Sequence, residues 1–157
     1  MAFEKHLLVD GANILHAWPE LQALLPKDRD AARARLAQRL SAIHDGEEVR
    51  VTLVHDGRGS ELVVERPSKQ ETFSVLYTPS SLTADTVIER LVGKSPQPAQ
   101  CVVASGDRGI RQTVTALGAT CIPPEDLAAW VARAEQQQTR QLKRLRRAAE
   151  QEWRRDE

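Results

Sequence analysis

Aspartates close three short apolar runs of this chain, and each run has the composition of a β-strand. The aspartates are Asp10, Asp56 and Asp107, and the runs that precede them are 6–9, 51–55 and 101–104. Parallel strands bring their carboxyl ends to one edge of a sheet, where open α/β sheets bind ligands. Carboxylates that meet there repel one another unless a divalent cation lies among them. The pattern therefore predicts a metal-dependent enzyme, with phosphate chemistry as its use.

A further aspartate, Asp85, stands in the first turn of a helix that is predicted to begin near Thr83. A carboxylate in that position is favoured by the helix dipole and often has no other role. Glu89 follows one turn later on the same face, either as another acid of the site or as a salt-bridge partner for Arg90. Each acid taken alone is equally well explained as a turn residue or a helix cap. Four acids at corresponding ends of successive elements are harder to explain in that way.

Two polar neighbours complete the candidate site. Asn13, three residues after Asp10, offers an oxygen or an amide to a phosphate, a water or the carboxylate. Ser105, two residues before Asp107, offers a hydroxyl that would donate to a carboxylate and orient it. Helix capping is the alternative role for both side chains.

Composition excludes several other classes of protein. Twenty-two basic residues balance twenty-two acidic ones, so nucleic acid would have to be bound by a local patch. The sequence contains neither a G-x-G-x-x-G nor a phosphate loop, and no G-x-S-x-G. No signal peptide or membrane-spanning run is predicted, and Cys101 and Cys121 form neither a disulfide framework nor a zinc pattern, which favours the cytoplasm. His55 is interpreted as a strand histidine with its polar atoms paired.

Alternation of strands and helices predicts an α/β fold. The predicted strands are 6–10, 49–55, 73–77, 101–104 and 119–122, and the predicted helices begin near residues 28–30, 83 and 108, with Gly46 and Gly118 as stops. Residues 57–72 are predicted to be mainly a mobile loop, with a short strand at 62–64 as an option. Residues 1–135 would form one domain, and 136–157 a charged helical tail whose stretch from 139 carries seven basic and four acidic side chains.

Three stretches of the chain resemble the NYN domains, which are nucleases of the PIN-like superfamily, and in particular their YacP-like branch. The stretches are 8–14 (LVDGANI), 77–91 with its TADTVIERL, and 103–119 with its VASGDR. The resemblance covers about residues 6–132. It implies a PIN-like three-layer α/β/α fold around a mainly parallel sheet of about five strands, to which the helical tail is added.

The same resemblance implies cleavage of RNA that depends on Mg²⁺ or Mn²⁺. Asp10, Asp85 and Asp107 match the acidic ligands, Asn13 and Ser105 support them, and Asp56 is a fourth contributor. Many NYN domains have a second aspartate two residues after the match to Asp107, whereas this chain has Gly109 there. The number of metal ions, one or two, therefore stays open.

RNA is the expected partner, either free or presented by a ribonucleoprotein such as the ribosome, and no membrane partner is expected. Candidate contacts to the RNA backbone are Arg58, Arg66, Lys69, Arg108 and Arg111. Only 4% of the residues are aromatic, so extensive base stacking is not expected. Two alternatives stay open: a module of the same fold that binds RNA or a ribonucleoprotein without cutting, and a metal-dependent phosphatase, which the absence of an Asp-x-Asp at Asp10 disfavours. The oligomeric state is open.

Overall fold

The computed structural model describes residues 2–156, and within them it contains six strands and six α-helices. In chain order these are β1 (His6–Asp10), α1 (Gly11–Ala17), α2 (Pro19–Leu24), α3 (Arg29–Glu47), β2 (Arg50–Asp56), β3 (Val63–Glu65), β4 (Phe73–Thr78), α4 (Ala84–Lys94), β5 (Cys101–Ala104), α5 (Arg108–Ala116), β6 (Thr120–Ile122) and α6 (Pro124–Arg155). None of these helices is long and apolar enough to cross a lipid bilayer.

The strands form one sheet in the order β3-β4-β2-β1-β5-β6. All neighbouring strands are parallel except β3, which pairs antiparallel with β4. Because β1 lies between β2 and β5, the chain reverses its direction of winding at β1 and leaves a crevice at the carboxyl ends of β1 and β5. The predicted α/β architecture with a mainly parallel sheet is confirmed. The sheet has six strands rather than about five, because the optional strand near residue 63 is formed.

Helices cover both faces of the sheet, since alternate strand residues point to opposite sides. Leu7 and Val9 pack under α1, α2, α3 and α6, whereas Leu8 packs under α4 and α5. Strands that are buried on both faces have continuous apolar sequences, and these strands could therefore be predicted from the sequence.

Two details of the helices differ from the sequence predictions. α1 and α2 occupy residues 11–24, for which no element was predicted; α1 begins directly after β1 because Asp10 serves as its N-cap. Gly46 was predicted to end α3, but the helix ends one residue later at Glu47, and its C-cap is Glu48, whose φ of 54° is left-handed. The prediction for Gly118 is confirmed, since α5 ends two residues before this glycine and its φ of 102° favours a residue without a Cβ.

α6 is continuous across the predicted boundary between residues 135 and 136. Its first three turns pack against α3 and α1 and bury Leu127, Val131 and Ala134 in the core. From Thr139 to Asp156 every side chain is exposed. The predicted helical tail is therefore a helix, and its separation from the domain as a functional unit stays a prediction.

Candidate active site at the carboxyl edge of the sheet

Asp10 lies at the crevice between β1 and β5 and is only 5% exposed. Its Oδ2 accepts a hydrogen bond from the Ser105 hydroxyl at 2.9 Å, and its Oδ1 accepts a long one from the Asn13 amide at 3.5 Å. The Ser105 hydroxyl oxygen in turn accepts from the Asp107 amide at 3.1 Å. Ser105 therefore bridges the two strand ends and fixes the orientation of the Asp10 carboxylate.

Asn13 joins α1 to the turn between β5 and α5. Its Oδ1 accepts a hydrogen bond from the Gly106 amide at 2.8 Å. A Cβ at position 106 would stand 3.3 Å from that oxygen, so the glycine permits the close approach. Asn13 is thus a positioning residue of this turn in the described structure.

Asp56 and Asp107 each hold the first turn of a helix. Asp107 Oδ1 accepts from the Ile110 amide at 3.0 Å and caps α5, and Asp56 Oδ1 accepts from the Ala84 amide at 2.9 Å at the start of α4. Among residues 2–156, neither Oδ2 atom of these two aspartates accepts a hydrogen bond. Capping is therefore a real role of both carboxylates, and it leaves one oxygen of each free for another partner.

Electrostatics show that the predicted acids converge at this edge. Burial raises the pKa of Asp85, and the charges of Asp107, Asp56 and Glu89 raise it further. Burial also raises the pKa of Asp10; the hydrogen bonds from Ser105 and Asn13 oppose the rise, and the charges of Asp85 and Asp56 add to it. Acids that are far apart in sequence thus repel one another in the fold, and any cation bound among them would relieve that repulsion.

The donor chemistry of this cluster suits a hard divalent cation, because every candidate ligand is a carboxylate. Within residues 2–156, however, no three Asp, Glu, His or Cys side chains are already gathered closely enough to hold one metal ion. Three of the carboxylates, those of Asp10, Asp56 and Asp107, accept hydrogen bonds at the starts of helices. The charges therefore fit a cation, and the metal-ligand roles of Asp10, Asp85, Asp107 and Asp56 stay predictions.

The predicted RNA-contacting residues fall into separate groups. Arg58 and Arg66 line a cavity of about 1020 Å³ between α3, β4 and the segment 57–68. Arg108 and Arg111 are exposed on the first turns of α5, beside the acids. Lys69 lies in a turn with a left-handed φ of 61° and does not line that cavity. The structure thus brings only part of this set together.

A smaller cavity of about 250 Å³ adjoins the large one and was not foreseen from the sequence. Both cavities are lined by Arg29 and Arg33 of α3 as well as by Arg58. Arg33 stacks its guanidinium over the Tyr77 ring at 5.4 Å and donates to the backbone oxygen of Asp56 at 3.4 Å. The spacing of Arg29 and Arg33, one helical turn apart at the start of α3, is the sequence signal that would have indicated a basic surface here.

His55 contradicts the interpretation of a histidine with paired polar atoms. It is 1% exposed, and its Nε2 has no hydrogen-bond partner within the described chain. Burial and the Arg33 charge lower the pKa of His55 to about 3, so the ring is neutral. A buried polar atom left in this state costs about 1–3 kcal/mol. His44 shows the contrasting case, since its Nδ1 bonds Asp45 and its Nε2 bonds Thr72, both at 2.7 Å.

Comparison with known proteins is consistent with this architecture. Residues 7–157 match the family model of the YacP-like NYN domain. Over 87 residues the chain is 34% identical to the uncharacterized protein YacP of Bacillus subtilis (strain 168), a match that covers 54% of this chain and 49% of that protein. The chain therefore matches about half the length of this relative.

Two solved structures from Bacillus subtilis are also similar. The crystal structure of Rae1 (YacP) has a TM-score of 0.74 at 27% identity and covers 92% of this chain and 82% of the other. Its W164L mutant has the same TM-score at 26% identity, with 90% and 83% covered. This likeness confirms the predicted PIN-like arrangement of the sheet and helices.

Proposed function

The chain belongs to the family of YacP-like NYN domains, and on that premise we propose that it is a metal-dependent ribonuclease, most simply an endonuclease. The family supports a nuclease-type function. The observation that carries the finer proposal is the convergence of Asp10, Asp85, Asp107 and Asp56, whose charges add to burial in raising the pKa of Asp85 and, against two hydrogen bonds, that of Asp10.

Mg²⁺ or Mn²⁺ held by these aspartates would activate a water and neutralise the scissile phosphate. The chain's own groups have complementary tasks. Ser105 holds the carboxylate of Asp10 across the crevice. The N-terminus of α5 presents its positive dipole end at the same edge, and Arg108 and Arg111 stand on its first turns, where they would contact phosphates.

A second candidate is an RNA- or ribonucleoprotein-binding module that does not cut. It is favoured by the capping roles of Asp56 and Asp107 and by the fact that no three possible ligands within residues 2–156 are gathered around one point. In that case the acids would only stabilise helix starts. The two candidates differ in a single measurable property, which is hydrolysis.

The test is cleavage of a mixed-sequence RNA by the full chain, with Mg²⁺ or Mn²⁺ and with a chelator. We expect metal-dependent products from the wild type and none from Asp10→Asn. Asp156→Asn is the matched control, because this exposed aspartate at the end of α6 is remote from the crevice. Cleavage that survives in Asp10→Asn, or in the chelator, would reject the metal-dependent mechanism. RNA binding without any cleavage would favour the second candidate.

A further inference from the structure

The cavity of about 1020 Å³ lies beside the acids rather than over them. Its floor is formed by alternate residues of β4, Phe73, Val75 and Tyr77, and its walls by α3 and by residues 57–68. Its volume of about 1020 Å³ is at the upper end of the range in which pockets bury most of a small organic ligand. Tyr77 is the half-buried aromatic ring of this floor and stands next to the strand end that carries Asp56.

The two adjoining cavities differ in charge. The large one is lined by as many acidic as basic side chains, so its interior favours a neutral, partly apolar group. The small one is lined by Arg29, Arg33 and Arg58 against the single acid Asp56, so it favours an anion. None of these three arginines takes part in an ion pair within residues 2–156.

Unpartnered buried atoms point to a missing ligand in the small cavity. His55 lines it, is 1% exposed, and its Nε2 finds no hydrogen-bond partner in the described chain. The Nε of Arg33, which lines the same cavity, is likewise buried and unpartnered. Buried donors are nearly always paired, with protein, water or ligand. An anion with several oxygens would accept from the Arg33 Nε–H and from the Nε2–H of the neutral His55 ring in its Nε2-protonated tautomer.

We propose that the two cavities together form a subsite for one nucleotide of single-stranded RNA. The phosphate lies in the small cavity against Arg33, Arg58 and His55, and the base enters the large cavity beside the Tyr77 ring, over which the Arg33 guanidinium lies. The inference rests on the proposed ribonuclease function and adds to it the place where one nucleotide beside the acids is held. A base within a duplex is stacked and paired and cannot enter such a cavity, so the subsite selects single strands.

Because of its position, the subsite would bind the same RNA strand as the acids. Asp56 lines both cavities, and its carboxylate also contributes to the charge around Asp10 and Asp85. A strand that leaves the crevice at β1 therefore passes the end of β2 before it reaches Tyr77. One base held there would fix which neighbouring phosphate faces the acids.

The experiment measures binding without metal, so that no cleavage occurs. The probes are a labelled single-stranded RNA of eight mixed nucleotides and a hairpin of the same composition, each titrated with the full chain in a chelator. Ala34→Trp places an indole in the large cavity from an exposed position of α3. Ala129→Trp is the control, since Ala129 is equally exposed on α6 and lines neither cavity.

We expect the wild type to bind the single strand at least about tenfold more tightly than the hairpin. Ala34→Trp should lose about tenfold for the single strand, and Ala129→Trp should lose nothing. Arg58 lies in an exposed loop, so Arg58→Ala is not expected to unfold the chain. It should weaken binding and lower the slope of log affinity against log salt concentration by the amount expected for about one phosphate contact. Arg133→Ala on α6 should change neither. Tyr77→Leu should also weaken binding of the single strand, because it removes the ring over which the Arg33 guanidinium lies.

Equal binding of both probes, or full affinity in both Ala34→Trp and Arg58→Ala, would overturn the subsite. These failures are distinct from failure of the proposed function. If the variants behave as expected but the wild type never cleaves RNA with Mg²⁺ or Mn²⁺, the ribonuclease proposal falls and the subsite stands. If the wild type cleaves and the variants bind normally, only the subsite falls.

Discussion

The surfaces on the two sides of Asp56, at the end of β2, carry opposite kinds of unpaired groups. On the side of α4 and α5, carboxylates converge, and their repulsion raises the pKa of Asp85 beyond the effect of burial. On the side of α3, Arg29, Arg33 and Arg58 have no ion-pair partner among residues 2–156, and the buried Nε2 of His55 has no hydrogen-bond partner there. One side lacks positive charge and the other lacks hydrogen-bond acceptors. A phosphate backbone accompanied by a cation supplies both, so the difference favours a single extended ligand over two separate ones.

The largest effect is expected when the carboxylate of Asp10 is removed, which tests whether the acidic side and the arginine side act separately. Asp10→Asn should reduce the rate of RNA cleavage by at least about 100-fold, because a neutral amide replaces the central candidate ligand. Binding of a short single strand in a chelator should be unchanged, because Asp10 lines neither cavity. Cleavage rate and affinity are measured on the same preparation. A parallel loss of both would show that the two sides do not act separately.

A smaller effect is expected when Asp10 is kept but its support is removed. Ser105→Ala deletes the donor at 2.9 Å from Asp10 Oδ2, and cleavage should fall by about 10-fold. Ser105→Thr keeps a hydroxyl and should recover part of the activity. Metal titration of the rate distinguishes positioning from simple destabilisation, because a misplaced ligand raises the metal concentration needed for half-maximal rate. An unchanged metal requirement in Ser105→Ala would argue against this role.

Acid should lower the stability of the fold through His55 and His6, whose pKa values are lowered in the folded chain. Burial and neighbouring arginines lower the pKa of His55 to about 3 and that of His6 to about 4. Above the ordinary pKa of about 6.5 neither group changes stability with pH. Below it the unfolded chain binds protons that the folded chain refuses, so the free energy of unfolding falls by up to ~1.4 kcal/mol per pH unit for each histidine. The loss continues down to the folded-state pKa.

Denaturant unfolding between pH 7 and pH 4.5 measures this slope. His55→Gln and His6→Gln should each flatten it, whereas His16→Gln, on an exposed position of α1, should not. Asp10 and Asp85 act in the opposite direction, because their raised pKa lets the folded chain take up protons first as the pH falls. An identical slope in all three variants would mean that the buried rings do not govern acid stability.

Relief of repulsion on the acidic side should be visible without metal. Asp10→Asn and Asp107→Asn should leave the fold intact or raise its stability, on the order of 1 kcal/mol, or about 2–4 °C in Tm for a chain of this size. Asparagine can still cap a helix, so the caps at α1 and α5 need not be lost. Thermal melts in a chelator are the measurement. Clear destabilisation of both variants would make capping the main role of these aspartates.

The smallest effect is expected from removing the exposed half of α6. A chain that ends at Gln138 keeps every buried residue of that helix and its ion pair between Glu135 and Arg39. It should cleave a short RNA as the full chain does and bind a long RNA a few-fold more weakly, with a reduced salt dependence. Unfolding of the truncated chain, or full affinity at every salt concentration, would refute this assignment.

The acids could be predicted from sequence because each follows an apolar run or opens a helix, and such positions have a fixed place in a parallel sheet. The arginine cavities could not. Arg29 and Arg33 belong to a helix whose register on the sheet depends on contacts made far along the chain, and Tyr77 reads simply as a strand residue. The state of His55 depends on tertiary packing as well, since a Cβ on Gly11 would stand 2.2 Å from its Nδ1. Local pattern locates strand ends; it does not reveal which polar atoms the fold leaves unpaired.

The exposed half of α6 also sets a distance from the folded domain. From Thr139 to Arg155 it is a helical rod that extends over roughly 25 Å, at 1.5 Å per residue. A molecule held at the crevice touches the far end of this rod only if it is long enough to span that distance or is itself part of a large particle. Under the proposed function, a short RNA would contact the crevice alone, whereas a long RNA or a large particle would also contact α6.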